Sequence, residues 1–260
     1  MQDICFWSVG DGDYAYILQT LVNSFHAVGM KSDFHVFSDR EIYGAITHKV
    51  AEFDKRRCFF KFNFMQSQLK HWDYRHFIYL DADTVFLKAP TISLIELLKS
   101  DPLHLFFESD CTMPQVKRKE WWGCPLPEYV RLMHECGVIN PHIYNVNGGF
   151  CIVQKHAMDI VCELAIDFVK YAARQHYNFP DEPGWAYALH MLCKIPEQHL
   201  LSCHRDVWCS DWEGVFKEHL PDGKPWVFRD YISNSSFTIN PAIVHAIRSK
   251  DLLVKQSTVN

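Results

Sequence analysis

Phe77-Ile78-Tyr79-Leu80-Asp81-Ala82-Asp83-Thr84-Val85 decides how the rest of the chain is read. Its first four residues, apolar or aromatic and too few for a helix, predict a buried strand. Two carboxylates one residue apart follow at the carboxyl end of that strand. Such a pair repels itself unless a positive charge lies between its members, and hard oxygen ligands suit Mg²⁺ or Mn²⁺. The same cation can neutralise the phosphates of a nucleotide diphosphate. An Asp-x-Asp by itself also fits a strand-end turn whose carboxylates cap a helix, so its surroundings must decide.

Outward from this stretch the chain alternates strands and helices. Ile4 to Val9 reads as a buried strand, and Tyr14 to Val28 carries Ile17, Leu18, Leu21, Val22 and Phe25 at helical spacing. Phe34 to Phe37 is a short strand, Phe59 to Leu69 a helix, Ile92 to Leu98 a helix and Leu103 to Phe107 a strand. This βαβ order predicts an α/β fold, a mostly parallel central sheet flanked by helices, with right-handed crossovers. From Glu108 to Gly137 the pattern breaks: Pro114, Trp121, Trp122, Pro125 and Pro127 predict a long irregular excursion, and such loops inside compact domains are usually functional or disordered. Beyond it, Gly148 to Val153 reads as a strand, and His156 to Arg174 and Gly184 to Leu192 as helices. With neither repeat nor linker, residues 1–260 are expected to form one domain. Open sheets of this type bind ligands beyond the carboxyl ends of their strands. Gly10-Asp11-Gly12-Asp13-Tyr14, Asp81-Ala82-Asp83 and Ser109-Asp110 all fall there.

Composition narrows the partners. A net charge of −5 gives no general attraction for nucleic acid or an anionic membrane. No apolar run is long enough to span a bilayer, and the N-terminus lacks the pattern of a signal peptide. The ten cysteines are scattered, several of them (Cys5, Cys151, Cys162, Cys193) in apolar surroundings where they act as small hydrophobes. A soluble, cytoplasmic protein is the expectation, or a lumenal one if an anchor has been trimmed away.

The acidic stretch resembles the signature of GT-A (Rossmann-like) nucleotide-sugar glycosyltransferases, above all the retaining glycogenin-like and bacterial galactosyltransferase-type group. Three further segments follow in that group's order. The end of the first strand at Val9 with Asp13-Tyr14 resembles its uridine-binding turn. Asn145-Val146-Asn147-Gly148-Gly149-Phe150 resembles its Asn-x-Gly strand along the sugar pocket, and Pro180-Asp181-Glu182 the acidic pair beside the reacting carbon. The resemblance implies a metal held by Asp81, Asp83 and a histidine near the C-terminus, here His245. It implies a donor, UDP-glucose or UDP-galactose, held by Val9, Asp13, Tyr14, Lys61, Asp81, Ala82, Asp83, Asn147 and Gly148. Lys61 is alternatively a solvated surface lysine. Where the group carries a Gly and then a Lys on the diphosphate, this chain has Arg248 and Asp251, leaving Arg248 and Lys250 as the available cations. The resemblance thus divides the domain into a nucleotide-binding half, 1–107, and an acceptor and sugar half, 108–260.

The implied activity is metal-dependent transfer of a hexose to a sugar or glycan acceptor, with retention. Asp181 or Glu182 would stabilise the oxocarbenium-like centre or attack it, unless the two merely cap the helix that follows. Trp121 and Trp122, and the segment Trp208 to Glu213, are candidates for an acceptor surface. Three alternatives stay open. An inverting enzyme would use Asp181, Glu182 or Asp211 as base. A nucleotidyltransferase would carry a basic Gly-rich loop after its first strand, where this chain has acidic Gly10-Asp11-Gly12-Asp13. An inactive lectin-like module would have no need of an intact metal set.

Overall fold

The computed structural model describes residues 3–50, 60–90, 102–114, 119–193, 200–202, 207–210, 226–229, 236–239, 241–247 and 250. In the first third, β1 (Ile4–Val9), α1 (Asp13–Ala27), β2 (Asp33–Ser38), β3 (Ile46–Lys49), α2 (Phe60–Ser67), β4 (His76–Leu80) and β5 (Thr84–Phe86) follow one another. Next come β6 (Leu103–Asp110), β7 (Glu120–Trp121), β8 (Cys124–Pro125), α3 (Leu126–Glu135), β9 (Tyr144–Gln154), α4 (Met158–Arg174) and α5 (Asp181–Leu192). Short strands close the described part: β10 (Leu200–Ser202), β11 (Trp208–Ser210), β12 (Trp226–Arg229), β13 (Ser236–Ile239) and β14 (Ile243–His245).

Seven strands form the central sheet in the order β10-β6-β9-β4-β1-β2-β3. All neighbours run parallel except β9, which is antiparallel to both β4 and β6. Successive side chains of a strand point to opposite faces, and here each face has its own core. Cys5, Trp7, Phe77 and Tyr79 pack with Phe62 and Met65 of α2, Val161 and Ala165 of α4, and Trp185 of α5. Phe6, Ile78 and Leu80 pack on the other side with Leu18, Leu21 and Phe25 of α1. A second, three-stranded sheet, β11-β14-β5, adds Val85, Trp208, Ile243 and Val244 to that second core.

The expected α/β sheet is present, and three differences have physical causes. The stretch 108–137 is not irregular throughout: β6 runs on to Asp110, β7 and β8 form a hairpin, and α3 follows. Prolines hid that helix, but Pro127 stands in its first turn, where an absent N–H breaks no helical bond. Leu126, Tyr129, Leu132 and Met133 are buried along one side of it. β9 is longer than expected, eleven residues from Tyr144, because every position through Val153 is buried. β3 escaped notice because its half-exposed edge pattern carries no strong periodicity. The expected helix Ile92–Leu98 lies outside the described residues. Among the described residues no helix is long and apolar enough to cross a membrane, and Cys5, Cys151, Cys162 and Cys193 are buried in the core.

Candidate active site

β4 delivers Asp81 to the carboxyl edge of the sheet, where its amide donates to Gly149 O at 2.8 Å. The chain then turns, with Thr84 N donating to Asp81 O at 3.1 Å, and enters β5. β5 pairs antiparallel with β14, register Thr84 to His245. That pairing carries His245 across 162 residues of sequence to Asp83, its Nε2 at 3.1 Å from Oδ1. Asp81 Oδ2 lies 3.5 Å from the same nitrogen. Ligand atoms of Asp81, Asp83 and His245 all fall within 4.8 Å of one another. Two carboxylates and an imidazole make an O,O,N donor set that fits a hard divalent cation.

Charge reinforces the geometry. Burial alone would raise the Asp83 carboxyl, but the charges and hydrogen bonds of His245 and Lys250 hold it well below the usual carboxylate range. Burial alone would lower the His245 imidazole, but Asp83 more than offsets that and raises it. Lys250 Nζ sits 2.7 Å from Asp83 Oδ2 and donates to the Tyr14 hydroxyl at 3.2 Å. It therefore links the segment after β14 to α1 along the cavity lining.

A second charged group lies beside the first. Lys61 is buried, so the solvated-surface alternative is set aside. Its Nζ is 2.6 Å from Asp181 Oδ2 and 3.1 Å from Asp81 Oδ1, donates to Gly148 O at 3.0 Å, and lies over the Tyr79 ring. Burial works against its charge, yet Asp181 and Asp81 keep it firmly protonated. Asp181 also accepts from Trp185 Nε1 at 3.2 Å. Among the described residues no cation meets Glu182, its neighbour at the start of α5. Oε1 accepts from Gly148 N at 3.0 Å and Oε2 from Trp122 Nε1 at 2.7 Å. Burial, with the like charges of Glu108 and Asp181, pushes the Glu182 carboxyl well above the carboxylate range. Both acids are thus engaged well beyond any capping of their own helix.

β9 closes the floor. Between Leu105/Phe106 and their partners its register with β6 shifts, so Phe106 pairs with Asn147. The two glycines that follow Asn147 admit close neighbours: a Cβ on Gly148 would lie 2.9 Å from Glu182 Cγ, and one on Gly149 2.7 Å from His245 Cε1. Asn147 Nδ2 donates to Glu108 Oε1 and to Ser210 Oγ, at 3.0 and 3.1 Å, while its Oδ1 accepts from Gly149 N at 2.8 Å. The Asn147 side chain is thus held from three directions.

These groups surround one cavity of about 420 Å³. Of the sequence-predicted residues, Val9, Tyr14, Lys61, Asp81, Ala82, Asp83, Asn147, Gly148, Asp181, Glu182, His245 and Lys250 line it. Asp13 stands exposed in the first turn of α1, and Asp11 lines the cavity in its stead. Arg248, Asp211 and Trp212 lie outside the described residues. Trp121 and Trp208 are core residues, whereas Trp122 is half exposed at the cavity. Sequence reasoning missed Tyr79, which donates to Asp81 Oδ1 at 2.6 Å. Strand periodicity held the signal, since residues 79 and 81 share a face. Ser210 and Glu108, which fix Asn147, left no such trace.

The fold is the GT-A fold. Over 98% of this chain and 95% of the other, it matches a crystal structure of galactosyltransferase LgtC in complex with donor and acceptor sugar analogues, at TM-score 0.56 and 12% identity. At that identity the likeness is one of fold. The sequence matches no protein-family model and no curated protein sequence.

Proposed function

We propose that this chain is a metal-dependent glycosyltransferase that moves a hexose from a nucleotide-diphosphate sugar, UDP-glucose or UDP-galactose, to a sugar or glycan hydroxyl with retention. One observation carries the reading: Asp81, Asp83 and His245 converge at the carboxyl edge of the sheet, in the cavity that also holds Asp181 and Glu182. Mn²⁺ or Mg²⁺ held by those three ligands supplies neutralisation of the diphosphate as it departs.

The protein's own groups do the rest. Tyr14 and Val9, which line the cavity, would meet the base, and Lys250, also on its lining, would supply a cation for the diphosphate. Lys61 holds Asp181 in place within the cavity through their ion pair, and a carboxylate fixed there would stabilise positive charge developing on the sugar ring. Asn147 and Gly148, also on the cavity lining, would meet the sugar. In the transfer the acceptor oxygen bonds to C1 and the bond from C1 to the diphosphate oxygen breaks. The bonding pair leaves with the diphosphate, and the hydroxyl proton passes to a phosphate oxygen or to solvent.

A donor panel tests this. UDP or GDP release is measured from each nucleotide sugar with Mn²⁺ and then with EDTA, and anomeric configuration is read by NMR. The expected result is UDP release that EDTA abolishes, with an α-linked product from an α-linked donor. Turnover indifferent to chelator overturns the metal mechanism, and binding of no nucleotide sugar overturns the whole reading.

A further inference from the structure

The hairpin tip beside Glu182 carries a side chain that its backbone disfavours. β7 and β8 pair Trp121 with Cys124, so the loop is two residues, Trp122 and Gly123, both at positive φ (50° and 75°). Loops of this form take Asn, Asp or Gly at the first of these positions, and a bulky residue there is an outlier. Disfavoured backbone persists where its surroundings enforce it, often at functional sites. Two contacts enforce it here. Trp121 is buried edge-on against Tyr129 of α3, ring centroids 5.0 Å apart, which pins the hairpin to the core. Trp122 Nε1 donates to Glu182 Oε2 at 2.7 Å. Trp122 as a residue is 52% exposed, and it lines the cavity.

We propose that Trp122 is an acceptor-binding residue, its indole face receiving the ring of a hexopyranoside acceptor; this rests on the transferase reading above. An aromatic ring tied at one edge offers a rigid apolar face at little entropic cost. A pyranose chair presents C–H groups on one face and hydroxyls around its rim. The C–H face stacks on the indole while a rim hydroxyl meets the polar groups beside Glu182. A serine or tyrosine hydroxyl of a protein substrate has no such rim, so the acceptor class is a glycoside.

The test compares the parent chain with Trp122→Ala and Trp122→Phe, using methyl hexopyranosides, disaccharides and Ser/Tyr peptides as acceptors. Donor hydrolysis by water and the donor KM are measured alongside. For the best glycoside the acceptor KM rises about tenfold or more in Trp122→Ala, while the donor KM stays within about threefold. Trp122→Phe, which keeps a ring without the N–H, recovers most of the acceptor KM. An acceptor KM unmoved in Trp122→Ala, or peptides accepted in preference to glycosides, overturns the inference while donor turnover leaves the transferase reading standing. Failure to bind any nucleotide sugar overturns both.

Discussion

At one end of the cavity Asp83 is buried between two cationic groups, His245 at 3.1 Å and Lys250 at 2.7 Å. At the other end, among the described residues, Glu182 is met by two neutral donors, the Gly148 amide and the Trp122 indole, with Glu108 and Asp181 adding like charge. The same functional group is therefore driven in opposite directions, Asp83 towards ionisation and Glu182 towards the neutral acid. Pairs whose environments push them apart in this way mark a division of labour. Asp83 sits among cationic groups, whereas Glu182 is placed to hold a proton within the cavity. Lys61 stands between the two ends, in contact with Asp81 on one side and Asp181 on the other.

The contrast can be broken most severely at the cationic end. Asp83→Ala should lower Mn²⁺-supported nucleotide release about a thousandfold or more, some 4 kcal/mol of barrier. EDTA should do the same to the parent chain and add nothing to the variant. Lys61→Met leaves buried Asp181 and half-buried Asp81 without their shared counter-charge, and should remove about 3 kcal/mol of folding stability in urea titration. Adding Asp181→Asn should return part of that loss, and strict additivity would show that the two groups are not coupled.

Smaller changes sharpen it. Gly149→Ala sets a Cβ 2.7 Å from His245 Cε1, which should displace the imidazole. Mn²⁺ affinity by calorimetry should fall about 10–100-fold, the range for a disturbed ligand shell, with the fold retained by circular dichroism. The smallest effect concerns protons. The folded-state Glu182 carboxyl is raised above an unfolded value of about 4.3. Its contribution to stability is thus complete below that value and lost as pH rises through the raised one. Glu182→Gln, which cannot ionise, should gain in Tm relative to the parent chain from about pH 5 to pH 8. A difference that stays flat would mean that Glu182 is ionised throughout.

The reading of particular elements shows where local pattern suffices. β1, α1 and β4 announced themselves because a buried strand must be apolar and an amphipathic helix must repeat near 3.6 residues, whatever else the chain does. α3 did not, because Pro127 counts against a helix everywhere except in its first turn. Asp81 and Asp83 were legible as neighbours in sequence. Lys61 was only one basic residue on a helix, and its burial between two carboxylates arises from the packing of α2 on α4 and the approach of α5.

The sequence by itself determined the α/β order and the acidic strand end, and its resemblance to a known family pointed to Asn147, Gly148, Asp181 and Glu182. The first two are properties of short stretches, set by periodicity and side-chain chemistry. Only the tertiary structure decided that His245 reaches Asp83 through the β5–β14 pairing, that Asp11 rather than Asp13 faces the cavity, and that Trp122 leans on Glu182. Those outcomes depend on register and on contacts between residues distant in the chain. No local periodicity encodes them.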